Sequence, residues 1–158
     1  MPWQHALSPK RTALVSAALR HVDDAQGLLA SSPVQAFHLA GFGPECARKA
    51  ALTVPEASQG AMDKAIGHGF HDVAELALAI ACDLDPLASR YELKDWQARF
   101  PALLTWTEQS RYEASDQRTR RVAQATVADA SMVVTEVVAA LWADGRLPTS
   151  DDLVKVSP

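Results

Sequence analysis

Three polar side chains with complementary chemistry share one stretch of the chain, residues 36–52, AFHLAGFGPECARKAAL. His38, Glu45 and Lys49 stand seven and four residues apart, so they fall on one face of a helix. Gly41 lies between them and would let a neighbouring element approach closely. An imidazole, a carboxylate and an ammonium group on one face are suited to binding a polar ligand or moving a proton.

Two interpretations of this face stay open. Pro44 lacks a backbone N–H, so it should kink the helix near residues 40–41 and open a pocket beside the polar side chains. Alternatively, Glu45 and Lys49 form an ordinary pair at i, i+4, and His38 is satisfied by a neighbouring group.

A second polar group lies at residues 68–72, where His68 and His71 stand three apart beside Asp72. Two histidines and a carboxylate can bind a metal ion, but Asp72 is also well placed for a helix N-terminus. The Glu-x-x-His motifs of di-metal helical bundles are missing from the sequence, and we expect neither metal nor cofactor. The predicted pocket comprises His38, Glu45, Lys49, His71 and Asp72.

A basic cluster precedes and opens the last predicted helix: Arg111, Tyr112, Arg118, Arg120 and Arg121. Guanidinium groups recognise phosphate, so this cluster predicts a phosphate-binding face. The alternative is a solvated helix start, in which Glu113 and Asp116 pair with the arginines.

The composition fits a helical domain without a strongly basic surface. The 158 residues include 15 Lys and Arg and 19 Asp and Glu, which gives a net charge of −4 and argues against a globally basic nucleic-acid binder. The N-terminus lacks the apolar region of a secretory signal, and no run of 18 apolar residues is free of charge. We therefore expect a cytoplasmic protein with no membrane span, in which Cys46 and Cys82 are small buried residues.

Helical spacing of apolar residues predicts an all-α fold of about five helices in one domain, residues 1–158, with a core over 9–145 and a tail over 146–158. Ser8 and Ser32 should cap the first two helices. The predicted helices are Pro9–Ala30, Pro33–Thr53, His71–Cys82, two short helices between Leu87 and Trp106 separated at Pro101, and a last helix from Ser115 or Asp116 to Gly145. One further turn of helix is predicted near residues 61–66.

The last helix is apolar almost all round its middle, VADASMVVTEVVAALW. Such a helix is buried on two sides, and in a domain of this size a second copy of the chain can supply the second side. We therefore expect a homodimer with Val133, Val137 and Leu141 at or near its interface.

Several segments together resemble one family. The run FHLAGFGPECARKAAL, preceded by ALRHVDDAQGLL, resembles the opening helix pair of HEPN (higher eukaryotes and prokaryotes nucleotide-binding) domains. The segments GHGFHDVAELALAI and WTEQSRYE resemble later parts of that family, in the same order. The likeness covers about residues 10–145, although Pro44 departs from the uninterrupted helix of the family.

The resemblance implies an up-and-down helical bundle that dimerises. Many family members are metal-independent ribonucleases of toxin–antitoxin or phage-defence systems, with an Arg followed after four to six residues by a His. No arginine here has a histidine at that spacing. The resemblance thus implies a non-catalytic accessory module that binds a nucleotide, RNA or a protein partner encoded nearby. The alternative is a ribonuclease that uses His38 or His71 with an arginine of residues 111–121.

Overall fold

The computed structural model describes residues 6–52, 78–83 and 86–147, and the regular elements within these ranges are helical. The all-α prediction is therefore confirmed for this part of the chain. Residues 78–83 are helical and belong to the predicted third helix; the predicted turn at 61–66 lies outside the described ranges. The α-helices are α1 (Pro9–Leu28), α2 (Pro33–Ala51), a single turn α3 (Trp96–Arg99) and α4 (Arg120–Ala143), and the 3₁₀ turns are Pro86–Tyr91, Pro101–Thr105 and Glu108–Tyr112.

Helix α1 begins where its sequence predicts. The Ser8 side chain accepts a hydrogen bond from the Arg11 backbone N–H at 3.3 Å, and Pro9 occupies the first turn. A four-residue connection then returns the chain so that α2 packs against α1. Arg11 is buried, and its Nη1 donates to the Lys49 carbonyl oxygen at 2.5 Å near the end of α2. This contact satisfies a carbonyl group that the helix itself leaves without a donor.

Helix α2 continues through Pro44 and ends two residues before its predicted end. Ser32 occupies the N-cap position, but its side chain makes no cap hydrogen bond, so that predicted cap is wrong. At Gly43 an added Cβ would lie 2.7 Å from Val22 Cγ2 and 3.2 Å from the Ala18 carbonyl oxygen. Such distances are too short for a side chain, which means that α1 and α2 pack closely because this position is a glycine.

The two short helices predicted between residues 87 and 106 are wrong for most of that range. Only α3 is α-helical, and 3₁₀ turns take the remaining regular positions. Side chains of α4 explain the difference: Asp129 Oδ2 accepts from the Ala102 N–H at 2.8 Å, and Thr126 Oγ1 donates to the Ala102 carbonyl at 3.3 Å. These long-range hydrogen bonds satisfy backbone N–H and carbonyl groups that a continuing α-helix would satisfy with its own backbone.

Helix α4 starts at Arg120, later than predicted, with Thr119 rather than Ser115 or Asp116 at its cap. Thr119 Oγ1 accepts from the Val122 N–H at 3.2 Å. A side-chain pair between residues 113 and 118 holds the preceding residues as a turn. The helix ends as predicted beside Gly145, which has a φ of 66°. Its 24 residues span about 36 Å.

Only one side of α4 is buried. Val133, Val137 and Leu141 are at most 2% exposed and lie in the core of the single chain, so these side chains do not themselves face a second copy. The homodimer stays a prediction. The helix packs against α2, while Met132 and Trp142 on its other side are exposed. By length and composition α4 could cross a membrane, but 39% of its most apolar window is buried within the protein, and core helices also pass that test.

The end of α4 connects to the start of the chain. Arg146, the first residue of the predicted tail, is buried, and its carbonyl oxygen accepts from the Leu7 N–H at 2.8 Å. Asp144 accepts hydrogen bonds from the side chains of Arg90 and Tyr91. The ordered packing therefore continues past the predicted core boundary at residue 145.

Candidate functional site

Trp106 lies across the middle of α2 and is 2% exposed. Its indole Nε1 donates to the His38 carbonyl oxygen at 2.9 Å. A Cβ added at Gly41 would lie only 2.0 Å from Trp106 Cε2. The predicted close approach at Gly41 is thus confirmed, and the approaching group is this indole ring.

Aromatic rings join α1, α2 and the segment that carries Trp106. Phe42 makes edge-to-face contacts with Trp106 and with His38, with ring centroids 5.1 and 4.9 Å away. The ring of His21 on α1 lies 5.8 Å from Phe42. Contacts of this kind fix ring orientations, so both histidines are held against the same phenylalanine.

Both histidines have a lowered pKa, which favours their neutral form. Burial is the main cause that lowers the pKa of His38; the positive charge of Arg111 and then His21 lower it further, whereas Glu113 raises it. The pKa of His21 is also lowered, chiefly by burial. Each Nδ1 atom is buried and has no hydrogen-bond partner among the described residues. A neutral imidazole can donate a hydrogen bond from one ring nitrogen and accept a proton at the other. The two histidines are therefore the groups of the site that are suited to proton transfer.

The predicted ion pair on α2 is present. Lys49 Nζ lies 2.8 Å from Glu45 Oε1, and the Glu45 side chain is 4% exposed. Glu45 also lies close enough to His21 to raise its pKa. The other half of the predicted pocket, His71 and Asp72, lies outside the described residues, so the complete pocket stays a prediction.

The side chain of Arg118 is fixed by contacts within the protein. Its Nε and Nη2 donate to the two carboxylate oxygens of Glu113 at 2.7 and 2.5 Å, and its guanidinium carbon lies 4.0 Å from the centroid of the Phe37 ring. These hydrogen bonds lower the pKa of Glu113. A phosphate group at Arg118 would therefore compete with a two-point carboxylate contact.

Arg111 and Tyr112 differ from Arg118 because both are exposed. The Arg111 guanidinium lies 4.9 Å from the Tyr112 ring centroid, and Tyr112 is 73% exposed. Arg120 and Arg121 are exposed on the first turn of α4. The turn Glu108–Tyr112 packs against α2, so the charge of Arg111 acts on the pKa of His38 although the two positions are 73 apart in the sequence. We call Arg111, Tyr112 and His38 the Arg111 surface.

Sequence reasoning did not select His21. Its only signal is its place beside Val22, at the edge of the buried stripe of α1. Cys46 lies nearby on α2, and burial is the main cause that raises its pKa to about 11, which makes its thiol a poor nucleophile at neutral pH. Within the described residues, no cluster of three His, Cys, Asp or Glu side chains is arranged to hold a metal ion.

Comparison with protein-family models, with curated proteins and with solved structures finds no significant match.

Proposed function

We propose that this protein is a non-catalytic, HEPN-like binding module that holds the phosphate groups of RNA or a nucleotide at the Arg111 surface. The observation that carries the proposal is that the turn Glu108–Tyr112, which carries Arg111, packs against α2, which carries His38. After burial, the charge of Arg111 is the next cause that lowers the His38 pKa. Three chemically useful groups then share one surface: a cation, a neutral imidazole and an exposed aromatic ring.

Each group on this surface suits one part of a nucleotide. The guanidinium of Arg111 can donate two parallel hydrogen bonds to phosphate oxygens. The exposed ring of Tyr112 offers a face on which a base can stack. His38 supplies a polar group beside both, and its neutral state avoids adding a second charge that would need desolvation.

The binding test uses a fluorescein-labelled, single-stranded RNA of mixed sequence and measures fluorescence anisotropy. We expect weak binding whose affinity falls steeply between about 50 and 200 mM salt. The Arg111→Gln variant loses charge-assisted hydrogen bonds worth about 1.5–3 kcal/mol. Its affinity for the RNA should therefore be lower by roughly tenfold or more. Arg90→Gln is the matched control, because Arg90 pairs with Asp144 at the opposite end of α4. Equal losses in both variants, or no binding by the native protein, would overturn the proposal.

A second candidate function is a ribonuclease with a variant site. The same observation favours it, since a guanidinium can stabilise phosphate charge while the nearby His38 exchanges a proton. His71 is the other histidine that the sequence nominates for this role. The family spacing of Arg and His is absent, however, and losing an acid–base group costs about 10²–10⁴-fold in rate.

The cleavage test incubates mixed cellular RNA with the purified protein in the presence and absence of EDTA. We expect no cleavage at the rate typical of the family. Metal-independent cleavage that His38→Ala or His71→Ala abolishes would replace the binding-module proposal with the ribonuclease. Cleavage that all three proteins share equally indicates a contaminating nuclease and leaves the binding proposal standing.

The resemblance also supports an accessory role in a toxin–antitoxin or phage-defence system, with a protein partner encoded nearby. The test is to co-express the protein with the product of each adjacent gene and to measure co-purification. A stable complex with a nucleotidyltransferase-like protein would support a toxin–antitoxin pair, and one with a helicase or nuclease would support defence. The absence of any complex would count against an accessory role.

A further inference from the structure

Arg118 and Glu113 form an ion pair close to the Arg111 surface. The Arg118 Nε and Nη2 atoms donate to the two oxygens of the Glu113 carboxylate at 2.7 and 2.5 Å. Burial chiefly lowers the pKa of His38, and the negative charge of Glu113 counteracts this, so the pair lies within electrostatic range of that histidine. The side chains of Arg118 and Glu113 are 22% and 19% exposed. A ligand on the Arg111 surface can therefore reach them from solvent.

Two different groups hold the Arg118 guanidinium. The centroid of the completely buried Phe37 ring lies 4.0 Å from the guanidinium carbon, so the ring covers one face of the group. Glu113 holds one edge, but Glu113 belongs to the non-helical residues 113–119. Its carboxylate can turn away by rotation of the side chain, whereas the Phe37 ring is fixed by the packing around it. The guanidinium would then offer the same two donors to another anion.

We propose that the Arg118–Glu113 pair makes the Arg111 surface selective for a terminal phosphate group over the internal phosphodiesters of RNA. This inference rests on the proposed function. An internal phosphodiester carries one negative charge on two free oxygens, as the Glu113 carboxylate does, so exchanging the carboxylate for a phosphodiester gains little. A terminal phosphate carries a charge of about −1.5 to −2 at pH 7 and three acceptor oxygens. It therefore forms the stronger two-point contact with Arg118 and displaces Glu113.

The two arginines then act on different properties of binding. Arg111 is exposed, so it contributes to the affinity for any phosphate group. Arg118 is available only to an anion that displaces Glu113, so it contributes to the choice between ligands; without a ligand, the same pair orders the turn before α4. Overall affinity tests the proposed function, and the ratio of two affinities tests the selectivity. The failure of one can therefore be distinguished from the failure of the other.

The first experiment compares single-stranded RNAs of one mixed sequence by fluorescence anisotropy, with the fluorescein at the opposite end from the varied group. We expect the RNA with a terminal phosphate, at its 5′ or its 3′ end, to bind about tenfold more tightly than the RNA with a terminal hydroxyl. A hydroxyl-ended RNA two nucleotides longer carries nearly the same net charge and is the control. No preference for either phosphorylated end, or equal affinity for the phosphorylated and the longer RNA, would overturn the proposal.

Unlabelled nucleoside monophosphates separate the two sources of a terminal phosphate. If they displace the labelled RNA at the same concentration as the unlabelled phosphorylated RNA does, the ligand is a free nucleotide. If they require a higher concentration, the ligand is the end of an RNA chain. Either result supports selectivity for a terminal phosphate, and no displacement by either competitor would overturn it.

The second experiment measures the same affinity ratio in variants of the pair. Arg118→Gln should remove most of the preference for the phosphorylated RNA. Arg118→Lys keeps the positive charge but not the two-point geometry, and should also lose most of the preference. Arg99→Gln is the matched control, because it breaks another two-point contact, between Arg99 and Glu136. A preference that survives in both Arg118 variants, or that Arg99→Gln removes equally, would contradict the role of Arg118.

Glu113→Gln tests the carboxylate as the competitor for Arg118. It weakens the contact that an incoming phosphate must replace, so the affinity for the hydroxyl-ended RNA should rise severalfold and the preference should narrow. Asp116→Asn is the matched control, because it removes an equal charge from an exposed position of the same segment. It should raise both affinities by the same small factor. If Glu113→Gln also raises both affinities equally, Glu113 is not the competitor and the proposal is overturned.

Discussion

The middle of α2 carries two neighbouring regions with opposite properties. At the junction of Trp106 with Gly41, an indole ring lies directly on the helix and is almost completely buried. At the adjoining Arg111 surface, a half-buried histidine lies close to an exposed cation. The first region has the close packing that stabilises a fold, and the second has the polar groups and exposure that binding needs. The residues that stabilise the fold and those that are available for binding are therefore different, although they are neighbours on α2.

Two arginines in the segment before α4, Arg111 and Arg118, show the same difference between a buried contact and an exposed group. Arg118 is fixed by two hydrogen bonds to Glu113 and by the ring of Phe37. Arg111 is exposed and contacts the exposed ring of Tyr112. One arginine thus orders the turn before α4, and the other is available to a ligand. Five predictions test whether the difference holds, beginning with the largest expected effect.

Replacing Trp106 should have the largest effect on stability. Trp106→Ala should lower the free energy of unfolding by about 3–5 kcal/mol, because it leaves a cavity on α2. Trp106→Phe keeps a ring beside Phe42 but loses the hydrogen bond to the His38 carbonyl, so it should cost about 1–3 kcal/mol. Urea unfolding measures both values. A cost below about 1 kcal/mol for Trp106→Ala would show that the junction does not stabilise the fold.

Gly41→Ala should destabilise the protein because its Cβ would overlap the Trp106 ring. Overpacking costs about 1–3 kcal/mol, and the better helix propensity of alanine recovers up to about 1 kcal/mol. We expect a net loss of about 1–2 kcal/mol. Gly27→Ala on α1 is the control: nothing lies within 4 Å of its added Cβ, so it should stabilise the protein. Equal effects of the two substitutions on the urea midpoint would contradict the close approach.

The sequence predicts those parts of the fold that depend on local interactions. Ser8 and Gly145 mark the ends of α1 and α4 because caps act within one turn. Gly41 predicts a close approach, but not the identity of the approaching residue, because Trp106 is distant in sequence. The 3₁₀ turns are not predictable from residues 86–112 alone, since α4 side chains satisfy part of their backbone.

Long-range contacts also limit what the sequence reveals of the candidate site. His38 and Arg111 are selected separately by their types and local spacing, but only the fold brings them together. His21 carries no local signal beyond its place beside a buried stripe. On α4, apolar residues on all sides conceal which side faces the core, so the predicted interface residues prove to be core residues. An amphipathic pattern would have given the orientation, and this helix lacks one.

The two arginines should respond differently to the same substitution. Arg118→Gln loses the contacts with Glu113 and Phe37, and should lower the free energy of unfolding by about 1–2 kcal/mol. Arg111→Gln should change it by less than about 0.5 kcal/mol, because Arg111 is exposed. The two urea midpoints give the comparison. A larger loss for Arg111→Gln than for Arg118→Gln would reverse the assigned roles.

The smallest effect concerns protonation. Because the folded-state pKa of His38 and His21 lies below the ordinary histidine value of about 6.5, the unfolded chain binds more protons than the folded one between those pKa values. These residues should therefore make the free energy of unfolding fall as the pH drops below about 6.5. The double variant His21→Asn, His38→Asn should show a shallower decline over that range. A decline as steep as that of the native protein would assign the pH dependence to other groups.

The titration of His38 also tests its closeness to Arg111. Arg111→Gln removes a positive charge and should raise the His38 pKa towards its ordinary value, although burial still holds it down. Glu113→Gln should have the opposite effect, because it removes a nearby negative charge and leaves the charge of Arg118 unpaired. NMR titration of the imidazole resonances measures both shifts. Shifts of the same sign in the two variants would mean that these charges do not act directly on His38. His38 would then not belong to the Arg111 surface.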